Sequence, residues 1–525
     1  MRVEEKIIVI KNADIRTMAK PARASAMAFT LSTDPHQLGT ILATGKSSSI
    51  ISKFSARAEE IIDLEGAIVA PGFSDSHIHF VSWARELTEP NLDGLTSLEL
   101  CIQKLKQHLP RLSPGDWLTG GGWNWNSWQE KREPTRHDLD AIAPHTPIVL
   151  KSKDWHTLWC NTAALKILEI FDNPPVLKGG EIECDALGKP NGLLREAAAF
   201  HFMSKLPEQS PRNKHESILK AQKHLLSLGI TTVHSIESLE NFLFLKKMAQ
   251  EGSLTLRVSC YILAEDLILL EKDPQQISRN PHSPVRIVGI KVFTDGSLGS
   301  RTAFLQKPYE NSASVGMSTL NFGDLDNIVR RAEKLGLPCA VHAIGDAANK
   351  MVLDALGASR DRGFKALKHR IEHCQLLDKQ DIKRFATLNV IASVQPSHLI
   401  SDMDMVHKAW GKRGRYAYAF ASLARAKAKL IFGSDAPVEP PNPLEAIRAA
   451  TKRKRASDNQ SFYAQEEKIT FQQALRALTA APANAVDEQS LRGSLAPGML
   501  ADFVCIRKNS TGYCLLRFNW DKTVP

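Results

Sequence analysis

The sequence predicts an α/β chain. It reads as a TIM-like (β/α)8 barrel with a small composite β-sandwich from both termini and a long insertion after the first barrel strand. Three observations predict this. Apolar strand-like runs alternate with helical stretches between residues 229 and 434, the rhythm of βα units on a parallel sheet. With the run at 67–80 the strands number eight, the count of a closed barrel. The two chain ends share one texture, short apolar strands separated by turns.

The elements follow in order. Ile7–Ile10, Ala26–Leu31 and Thr40–Thr44 read as strands with Asp, Pro and Gly between them. Near the C-terminus, Gly493–Gly498 is a turn and the following Ala501–Ile506 an apolar strand. Residues 1–68 and 488–525 are therefore expected to build the composite sandwich, with the barrel spanning 69–487. Barrel strands are expected at 67–80, 229–236, 256–263, 288–294, 338–344, 369–374, 389–395 and 430–434, with helical spacing at 327–335, 347–356 and 378–388. Residues 85–225 break the rhythm and hold six of the nine tryptophans. They read as a lid-like insertion, or as a segment whose rings form its own small core. The stretch Gly39–Ser47 imitates a phosphate-binding loop, but five residues separate its glycines where four are needed; it reads as a β-turn.

Composition narrows the class. Hydrophobic residues make up 43% of the 525-residue chain, enough to offset chain entropy and exclude general disorder. No apolar run approaches the roughly 20 residues of a spanning helix, so no membrane partner is expected. The net charge of +10 is mild. Its densest run, Lys452–Arg455, reads as a solvated face, and no base-reading module accompanies it, so no nucleic-acid partner is expected. The eight cysteines are scattered without a CxxC pair, which suits free thiols and a cytoplasmic location. Assembly state is open, with a homo-oligomer among the alternatives.

The chemistry concentrates at strand ends. His77 and His79 lie two apart in Pro71–Phe80, so both imidazoles face one way at the barrel mouth. Convergent neutral imidazoles ligate zinc, nickel, manganese or iron. His342, His373 and Asp435 fall at the ends of the expected fifth, sixth and eighth strands, one and then two βα units apart. Lys291 lies inside the fourth. A bare ammonium there is costly to desolvate. Carboxylation by carbon dioxide would turn it into an anion able to bridge two metals; a lysine reaching solvent or pairing with Asp295 is the alternative.

Together these segments resemble the amidohydrolase superfamily, and within it amidohydrolase family 3, the YtcJ-like and N-substituted formamide deformylase branch. PGFSDSHIHF, GIKVFTDGSLGSRTA, AVHAIGDAA, RIEHCQ, SVQPSH and GSDAPVEP carry the resemblance in order along nearly the whole chain. Cys374 and Lys427 depart from residues common there, alanine and glycine, outside the ligand set.

The resemblance implies metal ligation by His77, His79, His342 and His373, a carboxylated Lys291, and Asp435 as catalytic carboxylate beside the metal. The expected activity is hydrolysis of an amide-type carbon–nitrogen bond in a small molecule through a metal-bound hydroxide. One or two divalent ions, Zn2+ first among them, would be the cofactors. Asp435 would move the proton and His373 or a metal would steady the oxyanion. Trp123, His156, Arg301 and His398 are the substrate-binding candidates. A deaminase or esterase on the same scaffold, or a catalytically silent metal-binding barrel, are the alternatives.

Overall fold

The structure, a computed structural model, describes residues 6–31, 38–112, 115–153, 157–177, 180–203, 205–206, 209–455, 457, 460–462, 464–509 and 512–516. Its central sheet has eight strands in chain order: β1 (Phe73–Ile78), β2 (Ile230–Glu237), β3 (Arg257–Leu263), β4 (Val285–Phe293), β5 (Cys339–Ala343), β6 (Arg370–His373), β7 (Ile391–Val394) and β8 (Lys429–Phe432). Each pairs in parallel with the next. Every residue of β1, β6 and β7 is buried, as parallel strands covered on both faces require. This is why their sequences read as continuous runs rather than alternating ones.

The ring closes just beyond the strands. Asp435 N–H donates to the His77 carbonyl (2.7 Å) and His79 N–H to that of Ala436 (2.9 Å). Gly433 permits this approach: a Cβ there would stand 2.4 Å from His77 N. Asp435 is thus not on β8, as the sequence suggests. It lies three residues past the strand with φ +63°, because the seam turns the chain toward β1.

Helices flank the strands. The helix Phe322–Lys334 buries Leu325, Val329 and Ala332, and Asn321 caps it by accepting from Asp324 N–H. The periodicity at 327–335 misses this first turn, because Phe322 and Gly323 precede the regular apolar stripe. The helix Asp346–Asp361 follows β5.

One buried group makes acid sensitivity predictable. His369 Nδ1 accepts from Cys339 N–H (3.0 Å), and Nε2 lies 3.1 Å from Ser359 Oγ. Burial pushes its pKa down to about 4. The folded state therefore resists the proton that the unfolded chain takes up near 6.5. This stabilisation is full above pH 6.5 and is lost as pH falls toward 4, about 3 kcal/mol in all. Denaturant titrations across that window should show the decline, with a shallower slope in His369→Asn.

The sandwich draws on both termini. Lys6–Lys11 pairs with Ala26–Leu31 and Glu60–Asp63, and Phe503–Asn509 pairs antiparallel with Ile68–Pro71. Ile8, Phe29, Val69, Leu495 and Cys505 share one core. Gly39–Ser47 is not a simple turn: Ile41–Gly45 is a strand and Ser47–Phe54 a helix. The basic run also departs from expectation. Arg453 is fully buried, donates to the Tyr418 carbonyl (2.8 Å) and lies 4.8 Å from the Phe462 ring centroid. Its guanidinium finds carbonyl and ring partners inside, so only its neighbours behave as surface cations.

Val81–Ala221 forms a second unit. Its sheet has five strands, Leu118–Trp123, Ile148–Ser152, Thr157–Cys160, Gly180–Cys184 and Pro190–Glu196. Trp123, Trp128 and Trp159 pack together with centroids 5.9–6.2 Å apart. No helix among the described residues is long and apolar enough to cross a membrane.

Candidate metal centre

A cavity of about 400 Å³ opens at the C-terminal mouth of the barrel, lined by His77, His79, Lys291, His342, His373, His398 and Asp435. β1 delivers His77 from a fully buried strand, and the closing seam delivers Asp435 beside it. Asp435 Oδ1 stands 3.2 Å from His77 Nε2 and 3.4 Å from His79 Nε2. Asp435 Oδ2 stands 3.6 Å from His398 Nε2. Two donor groups result, His77–His79–Asp435 and His373–His398–Asp435, each with ligand atoms within 4.8 Å of one another. The carboxylate is common to both. His342 belongs to neither group, but its ring centroid is 4.5 Å from that of His373.

Supporting groups set the tautomers. Glu372 Oε2 accepts from His77 Nδ1 at 2.5 Å, which directs Nε2 toward Asp435. Gln395 Oε1 accepts from His373 Nδ1 at 2.9 Å, which leaves the Nε2 lone pair free. Gln375 Nε2 lies 3.5 Å from His398 Nδ1, and His398 Nε2 faces Asp435. His342 Nε2 lies 3.1 Å from the Gly296 carbonyl and 3.4 Å from Asp295 Oδ1. Asp295 does not support Lys291. Its oxygens accept from the Phe304, Ile344 and Gly345 amides, which ties the loop after β4 to the end of β5.

Charge follows the same arrangement. Burial opposes ionisation of Glu372, but Arg370 and His77 hold its carboxyl well below the usual range. Burial likewise opposes the Asp435 charge, yet His77, His79 and His373 keep it ionised. Burial lowers His79 and His373, favouring the neutral imidazole that ligates metal. Lys291 is 1% exposed, its Nζ has no hydrogen-bond partner among the described residues, and burial lowers its pKa to about 8. Its Nζ lies 4.8 Å from the Phe293 ring centroid. The backbone is strained here too: His373 and Cys374 take φ +73° and +47° in succession. Non-glycine residues hold such angles at about 1–3 kcal/mol each, and here they turn the His373 ring into the mouth.

The residues fit divalent metal. The donors are imidazole and carboxylate, and the buried His77 Nε2 and Lys291 Nζ have no hydrogen-bond partner among the described residues. Natural proteins rarely leave such atoms unsatisfied.

The structure brings together seven of the expected residues: His77, His79, Lys291, His342, His373 and Asp435, and His398, expected there as a substrate-binding candidate. Arg301 is exposed at a turn with φ +54° and is not part of the cavity wall. Trp123 is buried in the second unit and donates through Nε1 to the Leu150 carbonyl (3.0 Å). His156 lies outside the described residues. Sequence reasoning misses Glu372, Gln395, Gln375 and Asp75. Asp75 accepts from the Ser434 amide (3.0 Å), and burial raises its pKa to about 6. A signal existed for one of them: Arg370 and Glu372, opposite charges two apart, share one face of a strand otherwise read as buried.

An eight-stranded parallel barrel with two His/Asp groups at its C-terminal mouth defines a metal-dependent hydrolase. The chain belongs to the amidohydrolase family, enzymes acting on carbon–nitrogen bonds, whose sequence model matches residues 60–511. It is 32% identical over 478 residues to YtcJ of Bacillus subtilis (strain 168), covering 89% of each chain. It is 26% identical to the N-substituted formamide deformylase of Arthrobacter pascens, covering 96% of this chain and 93% of that one. Among solved structures, an uncharacterized metal-dependent hydrolase from Pyrococcus horikoshii OT3 superposes with TM-score 0.80 and 28% identity, over 96% of this chain and 98% of that one.

Proposed function

We propose that this chain hydrolyses an amide-type carbon–nitrogen bond of a small molecule, with N-substituted formamides as the first class to test. The observation that carries the reading is Asp435, one carboxylate shared by two imidazole groups. The deformylase from Arthrobacter pascens supports the formamide class. His77, His79, His342 and His373 would hold the metal, with Lys291 as its carboxylate completing a binuclear site and Zn2+ the first ion to try. Bound divalent ions would supply Lewis acidity and a water of lowered pKa.

The chain's own groups do the rest. Asp435 accepts the proton released as water adds to the acyl carbon and returns it to the departing amine nitrogen. The His373 proton is on Nδ1 toward Gln395, so His373 serves as a ligand and does not donate to the oxyanion. His398, whose Nε2 faces the cavity beside Asp435 Oδ2, donates to the substrate oxygen in its Nε2–H tautomer. The compartment is proposed to be the cytoplasm.

Metal analysis tests the site. After repletion the protein should hold about two equivalents, and His77→Ala/His79→Ala should lose both metal and turnover of N-substituted formamides. Fewer than one equivalent in the parent protein would reject the binuclear reading. Ammonia or alcohol as product would instead mark a deaminase or an esterase.

A further inference from the structure

A second cavity, about 610 Å³, lies at the opposite end of the barrel. Lys429, which lines it, begins β8, whereas Asp435 lies beyond the other end of that strand. Strand rise puts the two roughly 20 Å apart. The helices Phe471–Ala477 and Ala480–Ala485 contribute Arg476, Ala477, Ala480 and Ala481 to the wall.

Its charge is one-sided. Lys427, Lys429, Arg476 and Arg492 line it, and no carboxylate does among the described lining residues. Asp487 and Glu488, next to the lining Gln489 in the chain, are already engaged: Glu488 by Arg286 and Arg492, and Asp487 by Lys368. Arg492 is 2% exposed and engaged on its inner side: its Nη1 donates to Ser74 Oγ (2.8 Å) and its Nε pairs with Glu488. The cations left facing the cavity are Lys427, Lys429 and Arg476, all three exposed, and like charges gathered without a carboxylate repel one another until an anion joins them. Lys427 adds an independent sign. It follows the helix Phe420–Arg425 with φ +64°, where glycine relaxes the turn. The position carries instead a lysine whose side chain lines the cavity. Burial and the neighbouring Lys368 lower the Lys429 pKa, the direction that uncompensated positive charge imposes.

We propose that this cavity binds a small phosphorylated molecule, its phosphate oxygens on the Arg476 guanidinium fork and the Lys427 and Lys429 ammonium groups, its body against the alanine wall. Guanidinium forks match phosphate geometry, and a volume of this size exceeds what inorganic phosphate alone needs.

Titration calorimetry of the full metal-loaded protein with inorganic pyrophosphate tests it, with citrate as a polyanion lacking phosphate. Saturable binding with Kd of about 0.1–1 mM is expected, weakening steeply with salt. Arg476→Ala and Lys427→Gly should each weaken it by roughly tenfold, one ionic contact. Arg476 is exposed on a helix and Lys427→Gly relaxes a left-handed turn, so both variants should melt no lower than the parent. Loss of affinity then reports the site and not unfolding. Unchanged affinity in both variants would place the anion elsewhere, the metal centre included, and overturn the proposal. No saturable heat, or citrate binding as tightly as pyrophosphate, would overturn it as well.

Discussion

Asp435→Asn is expected to lower kcat by at least about 10³-fold while the protein stays folded. The carboxylate touches both imidazole groups, through Oδ1 on His77 and His79 and through Oδ2 on His398. Asparagine keeps the shape but cannot take up a proton, and it carries no charge to balance the cationic centre. The backbone at φ +63° suits it, because asparagine enters the left-handed region more readily than most residues. Circular dichroism and the melting temperature should therefore stay close to the parent values. Metal content must be measured alongside, since the same oxygens fall in both donor groups. A variant with full metal and more than a tenth of parental kcat would show that another group moves the proton.

Arg370→Met should give the largest stability loss, about 3–5 kcal/mol. Arg370 and Glu372 are both fully buried and form an ion pair inside the barrel. The guanidinium lies 3.7 Å from the Tyr261 ring centroid, and its Nη1 stands 3.1 Å from His234 Nδ1. Removing it strands the Glu372 charge in a low-dielectric interior with only part of its compensation left, from His77 and Lys291. Breaking a buried pair costs more than deleting it, so Arg370→Met/Glu372→Leu should regain part of the loss. The double variant should also weaken metal binding by about 10–100-fold, because His77 loses its orienting carboxylate. Urea denaturation of the single and double variants reads the first effect and metal titration the second. Equal stability of Arg370→Met and the parent would mean that Glu372 is neutral in the fold.

The barrel strands were legible because parallel strands buried on both faces are written as short apolar runs. Val285–Phe293 and Ile391–Val394 fall within a few residues of their expected bounds. The ligand-type residues were legible because histidine and aspartate stand out at the ends of such runs. Strand counting could not find the turn that carries Asp435, because that turn exists to close the ring against β1. Nor could it find Gln395 or Gln375, whose amides look like any polar residue after a strand until a histidine nitrogen is seen beside them.

The order of apolar runs along the chain, with imidazole and carboxylate at their ends, already determined a barrel and the chemistry gathered at its mouth. Periodicity and residue type are local properties, readable one segment at a time. Tertiary structure alone decided which atoms face one another: the carboxylate common to two imidazole groups, the buried arginine behind His77, and the cationic cavity at the far end of β8. Each of these joins residues far apart in the chain, and distance along a sequence says nothing about the direction of a side chain in space.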